Sequence, residues 1–125
     1  MRKLDTIQKH HVLNTIYAAD DKGLGGANHI YMIECHAEED ISEADICTSL
    51  ICFRYGSRNE KDSIAGVLDT DLLEIVRDRL TSFQEGTLCS KENAAALAHI
   101  EEALLWLNRR VEERASRGVL GYSKP

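Results

Sequence analysis

The chain has 125 residues, with 43% hydrophobic and 29% charged side chains and one proline. That is globular composition for one domain, and it excludes a collagen-like or disordered chain. The formal charge of −6, from 15 Lys and Arg against 21 Asp and Glu, argues against a general binder of long DNA or RNA, whose affinity rests on phosphate neutralisation. It leaves room for one small anion held by a few local arginines.

The chain opens MRKLDTIQKHH, without the apolar core of a signal peptide, and its apolar runs are too short to span a membrane. A soluble, cytosolic protein is expected. Residues 11–18 (HVLNTIYA) are rich in β-branched and aromatic side chains and predict a strand. In such a strand His10 and His11 would face opposite sides and could not chelate together. Residues 20–28 (DDKGLGGAN) predict a glycine-bearing loop, and 29–35 (HIYMIEC) a second strand. Asp and Glu then crowd 34–45, and 45–55 (DICTSLICFRY) predicts a third strand. Residues 56–65 (GSRNEKDSIA) read as a turn or hairpin.

Four cysteines, Cys35, Cys47, Cys52 and Cys89, make no C-x-x-C. They are expected to be free, small and buried rather than a disulfide framework. The spacing of Cys47, Cys52 and His36 is wrong for a structural zinc site, so no metal is expected.

Beyond residue 68 the period turns helical. Asp69 or Thr70 is a suitable cap, and Leu72, Leu73, Val76, Leu80 and Phe83 form one stripe on a helix of about 70–85, ended by Gly86. Ser90 predicts the cap of a second helix running from Lys91 to Arg117, a rod about 40 Å long that calls for a partner helix. Its seam is Leu97, Ile100, Leu104, Leu107 and Val111, with steps of 3, 4, 3 and 4. Ala94, Ala96, Ala98 and Ala103 keep parts of its surface slim. Asn93 lies at one end of the seam, Arg110 and Arg114 at the other. Two such helices packed antiparallel would bring Asn93 of one chain to the arginines of the other, with Phe83 close by. That set suits a nucleotide: the ring stacks a base, the amide reads its edge and the guanidiniums hold phosphates. The same stripe also suits a plain core, and arginines near a helix C-terminus suit the helix dipole alone.

Phe83-Gln84, Glu92-Asn93, Ala96-Leu97, the Glu101–Leu107 run EEALLWL, Arg110, Arg114 and the closing RGVLG of 117–121 form a connected pattern. This pattern resembles the domain shared by phage anti-CBASS 2 and Thoeris anti-defence 1 proteins. The element Gly25-Gly26-Ala27-Asn28-His29-Ile30-Tyr31 and the stretch 53–67 are similar to the Thoeris anti-defence 1 family in particular. The chain departs from that family at Gly56-Ser57 and Ala65-Gly66, where the family carries Gly-Pro and Asn-Gly.

The resemblance implies an α+β fold in a single domain spanning residues 1–125. Residues 1–67 are β-rich and form an N-terminal antiparallel sheet; residues 68–121 form two C-terminal helices, the last one long. It implies a phage sponge acting in the cytoplasm of the infected bacterium. Such a sponge binds cyclic ADP-ribose isomers, and in some members cyclic di- or trinucleotides, without cleaving them and without a cofactor, as homodimers or trimers of dimers. It assigns the first ligand to Phe83, Asn93, Arg110 and Arg114, with Arg54 and Arg58 as hairpin candidates for phosphate. Gly25, Gly26, Asn28 and His29 are candidates for a second site, since glycine-rich backbone can aim N–H groups at phosphate. No catalytic constellation is expected. The rival readings are a cyclic nucleotide hydrolase using Glu101, Glu102 or His99 as base, and a module whose helical seam binds a host protein.

Overall fold

The computed structural model describes residues 1–36 and 47–122. The acidic positions Glu38, Glu39, Asp40, Glu43 and Asp45, and the start of the expected third strand, lie outside the described residues. The chain forms two compact units: residues 1–56 with 64–66, and residues 57–63 with 67–125.

The first unit is a four-stranded antiparallel sheet in the order β1-β2-β3-β4, formed by β1 (Arg2–Lys3), β2 (Thr15–Ala18), β3 (Ile30–Cys35) and β4 (Cys47–Cys52). The sequence did not predict β1, which is too short to carry a pattern; it forms because Arg2 and Lys3 pair with Ala18 and Tyr17. Strand β2 begins four residues later than expected. Its partner strand is near its end there: Thr15 faces Glu34, one residue before β3 ends, and among the described residues 11–14 pair with no strand. Asn14 instead accepts the His36 N–H through Oδ1, at 3.4 Å. The register places Ile16, Ala18, Tyr31, Ile33 and Ile51 on one face and Tyr17, Ile30, Met32 and Leu50 on the other. Both faces are thus apolar. Ala18 is 1% exposed, whereas Leu50, on the edge strand, is 63% exposed.

Beyond β4 the chain turns back through the Tyr55–Ile64 bridge, which closes the expected hairpin. Gly66 lies against the backbone of residues 52–54. A Cβ there would sit 2.6 Å from Arg54 N, Cys52 O and Phe53 C.

The second unit is a helical hairpin of α1 (Asp69–Glu85) and α2 (Lys91–Ser116). Neither Asp69 nor Thr70 caps α1. The helix starts one position earlier, at N-cap Leu68, and the Asp71 carboxylate reaches back to accept the Leu68 N–H at 2.8 Å. Ser90 caps α2 as expected, accepting the Asn93 N–H at 3.0 Å. Gln84 Oε1 accepts the Ser90 N–H at 3.0 Å and ties the end of α1 to the start of α2. At its C-terminus α2 closes with Gly118 at φ 72°, the Val119 amide donating to Arg114 O and the Gly118 amide to Ala115 O.

Candidate ligand site

The seam of α2 faces α1 of its own chain. Leu104, Leu107 and Val111 share with Thr70, Glu74 and Arg77 a groove of about 680 Å³. The Arg77 Nε donates to Glu101 at 2.9 Å across the two helices, and its Nη1 to Glu74 at 3.3 Å. Glu101 first, then Glu74, raise the Arg77 guanidinium above its ordinary pKa. Some of the partner surface that the rod required is therefore α1. What α2 leaves open to solvent includes Leu105, which also lines this groove and is 70% exposed, and Trp106, 60% exposed.

Phe83 and Asn93 lie near the turn between the helices. Phe83 is half-buried, and the Arg79 guanidinium stands 5.3 Å from its ring centroid. Asn93 is half-buried and donates its Nδ2 to Leu88 O at 3.3 Å. Sequence reasoning missed Arg79 at this end, for which the i, i+4 spacing of Arg79 and Phe83 was the available signal. It named Gln84 only as part of the Phe83-Gln84 pattern and gave it no role.

Arg110 and Arg114 sit at the far end of α2. At about 1.5 Å per residue, Arg110 is about 26 Å along the axis from Asn93 and Arg114 about 32 Å. Arg110 is exposed. Arg114 is 9% exposed, and its Nη2 donates to Tyr122 O at 2.6 Å and Val119 O at 3.3 Å. This guanidinium thus gathers two carbonyls of the segment that follows α2. One chain brings Phe83 near Asn93, and Arg110 near Arg114. It does not bring the two pairs together.

Arg58 lies in the hairpin tip of the same unit, where Asn59 N–H donates to Gly121 O at 2.9 Å. Its Cγ is 3.3 Å from where a Cβ on Gly121 would stand. Arg54 belongs to the sheet unit, half-buried, with its backbone N against Gly66.

The glycine loop is a closed turn. Gly25 and Gly26 have φ 73° and 78°, with open space around both. Three amides of this loop are occupied: Gly23 N–H donates to Ala27 O, Gly26 N–H to Gly23 O, and Leu24 N–H to the Tyr55 hydroxyl at 3.3 Å. Asn28 is buried and acts as a bracket. Its Oδ1 accepts Arg2 Nη2 at 2.7 Å and its Nδ2 donates to Asp20 O at 2.6 Å. The Asp20 carboxylate accepts the His29 and Ile30 amides at 3.1–3.2 Å. Desolvation pushes the Asp20 carboxyl up, but hydrogen bonds from the His29 and Ile30 amides and from Asn28 pull harder, and it titrates below its ordinary value. The His29 ring lies 4.6 Å from that of Tyr55, with Nδ1 buried and unpaired. Arg2, Asp20, Asp21, Lys22 and Asn28 line a polar groove of about 470 Å³ beside this loop. The sequence pointed to Asn28 and His29 and missed Asp20 and Tyr55, which shape the loop.

His99 and Glu102 form an exposed pair at 3.8 Å, with nothing around them to exclude water. Among the described residues no three His, Cys, Asp or Glu side chains lie together to hold a metal ion. No helix among those residues is long and apolar enough to cross a membrane.

An antiparallel sheet unit and a long-armed helical hairpin define the class of this protein. Residues 50–112, half of the chain, match the family model described as Acb2/Tad1, hairpin domain, and the chain belongs to that family. It is also similar to "Thoeris anti-defense 1" of Bacillus phage SBSphiJ7, with 48% identity over 56 residues. That match covers 45% of this chain and 39% of the relative's length.

Proposed function

We propose that this chain is a phage anti-defence protein that captures cyclic nucleotide immune signals stoichiometrically, without cleaving them, in the cytoplasm of the infected host. Cyclic ADP-ribose isomers are the first ligand class, and cyclic di- or trinucleotides a second. Capture of this kind inhibits Thoeris immunity and extends to CBASS where the second class is bound.

The observation that carries this reading is the distance between Phe83 of α1 with Asn93 of α2, at the turn of the hairpin, and Arg110 and Arg114 at the far end of α2. A second copy laid antiparallel restores the set at each end, one chain supplying the ring and amide, the other the cations. On a helix turning about 100° per residue, Ala96 and Ala103 fall within about 40° of Arg110 and Arg114. These small side chains let two α2 helices approach closely along the face that bears the arginines. Leu105 and Trp106 leave further apolar surface for assembly as a dimer or a trimer of dimers. A doubly charged pyrophosphate enclosed there would meet paired guanidiniums, which burial of such a charge requires. The relative's name supports anti-defence, and capture asks for affinity rather than transition-state stabilisation.

The test mixes the protein with a cyclic ADP-ribose isomer, removes free ligand, then heat-denatures the complex. Intact ligand is expected in the supernatant, and Phe83→Ala or Asn93→Ala should abolish its retention. A cleaved product would overturn the reading and favour a hydrolase.

A further inference from the structure

We propose that Cys35 and Cys47 form a cross-strand dithiol that closes to a disulfide by exchange with a low-molecular-weight disulfide of the glutathione class. The register of β3 and β4 places these two residues directly opposite each other. Both are free thiols here. The Phe53 N–H donates to His29 O across the same ladder at 2.8 Å, so alternate pairs from 29–53 onward, including 35–47, are the hydrogen-bonded kind. Cα atoms in such pairs are about 5.5 Å apart. That lies inside the roughly 4.4–6.8 Å window that a disulfide spans. Directly opposite residues also project from the same face of the sheet, so neither strand must rotate for the sulfurs to meet.

The other two cysteines lack this arrangement. Cys52 stands opposite Ile30, and it is five residues from Cys47, hence on the opposite face of β4. Cys89 lies in the helical unit beside the cap of α2.

Exposure sets the order of steps. Contrary to the expectation of buried thiols, Cys47 and Cys52 are exposed on the edge strand β4 and Cys89 is exposed between the helices, whereas Cys35 is half-buried. The Cys47 thiolate attacks one sulfur of the small disulfide, forming a mixed disulfide and releasing one small thiolate. The Cys35 thiolate then attacks the Cys47 sulfur, forming the Cys35–Cys47 bond and releasing the second small thiolate. Two protein thiols are oxidised and one small disulfide is reduced to two thiols, which take up the two protons the cysteines lose. A reducing cytoplasm holds the pair open; a rise in disulfide closes it and locks the β3–β4 register at that end of the sheet.

The experiment incubates the full chain with oxidised glutathione, blocks remaining thiols, and cleaves after glutamate. Glu38, Glu39 and Glu43 separate the two cysteines in sequence, so their peptides come apart unless a disulfide joins them. The expected product is those two peptides joined. Cys52 and Cys89 should carry glutathione adducts instead. In Cys35→Ser the adduct on Cys47 should persist, whereas Cys52→Ser should leave the crosslink unchanged. Closure should raise the melting midpoint by on the order of 5 °C, reversed by dithiothreitol. A stable glutathione adduct on Cys47 in the unsubstituted chain, or a crosslink through Cys52, would overturn the proposal.

Discussion

Gly66→Ala tests whether the end of the sheet depends on backbone contact. The added methyl would lie 2.6 Å from Arg54 N, Cys52 O and Phe53 C, about 0.8 Å inside an ordinary contact. All three are backbone atoms, so no side-chain rotation relieves them. The chain beyond β4 must move away from residues 64–66, loosening the Tyr55–Ile64 bridge as it does. Overpacking against such a wall costs about 3 kcal/mol. For a unit of this size, each kcal/mol shifts the melting midpoint by roughly 4–8 °C. A fall of at least about 12 °C in a circular dichroism melt is therefore expected. Gly25→Ala separates this effect from backbone conformation. Gly25 has φ 73° but nothing within 4 Å, so its substitution carries only the left-handed penalty, about 1–2 kcal/mol. A Gly66→Ala midpoint within about 2 °C of the parent, or a greater loss in Gly25→Ala, refutes the close-approach argument.

Three further outcomes follow from the hydrogen bonds. Ser90→Ala removes the acceptor for the Asn93 N–H and should lower stability by about 1 kcal/mol, read by thermal melting, while Ser90→Asp should be tolerated at this helix N-terminus. Arg114→Lys keeps the charge but loses the guanidinium that reaches Val119 O and Tyr122 O; hydrogen exchange at the Val119 amide should quicken, at a cost of about 1–3 kcal/mol, and unchanged protection would contradict the role. Asp20 titrates below its ordinary value of 3.8 in the folded state, so its contribution is fully present above that pH and is lost as pH falls through the folded value. Urea midpoints measured from pH 6 down to pH 2 should therefore decline less steeply in Asp20→Asn.

The sequence alone determined the elements whose signals are local. Ser90 has an oxygen that can accept an amide three residues on, and it caps α2 at the expected residue. The helical period of the leucines marks both helices, and Gly118 at positive φ ends the second. The short apolar, β-branched and aromatic run within 29–35 marks β3 in the same local way.

What covers that side is not a local property, and the tertiary structure decided it. The Leu97–Val111 seam would read the same whether it met a second chain or α1; the hairpin turns Leu104, Leu107 and Val111 to α1 and leaves Leu105 and Trp106 largely exposed. Nor does residue type fix a polar group's employment. Within one chain Asn28 brackets Asp20 and Arg2, and Arg114 gathers two carbonyls, contacts that no spacing in the sequence marks. A buried donor must be satisfied by whatever acceptor the fold brings near. The Cys35–Cys47 apposition is of the same kind. Eleven residues separate the two in sequence, and only the strand register makes them neighbours.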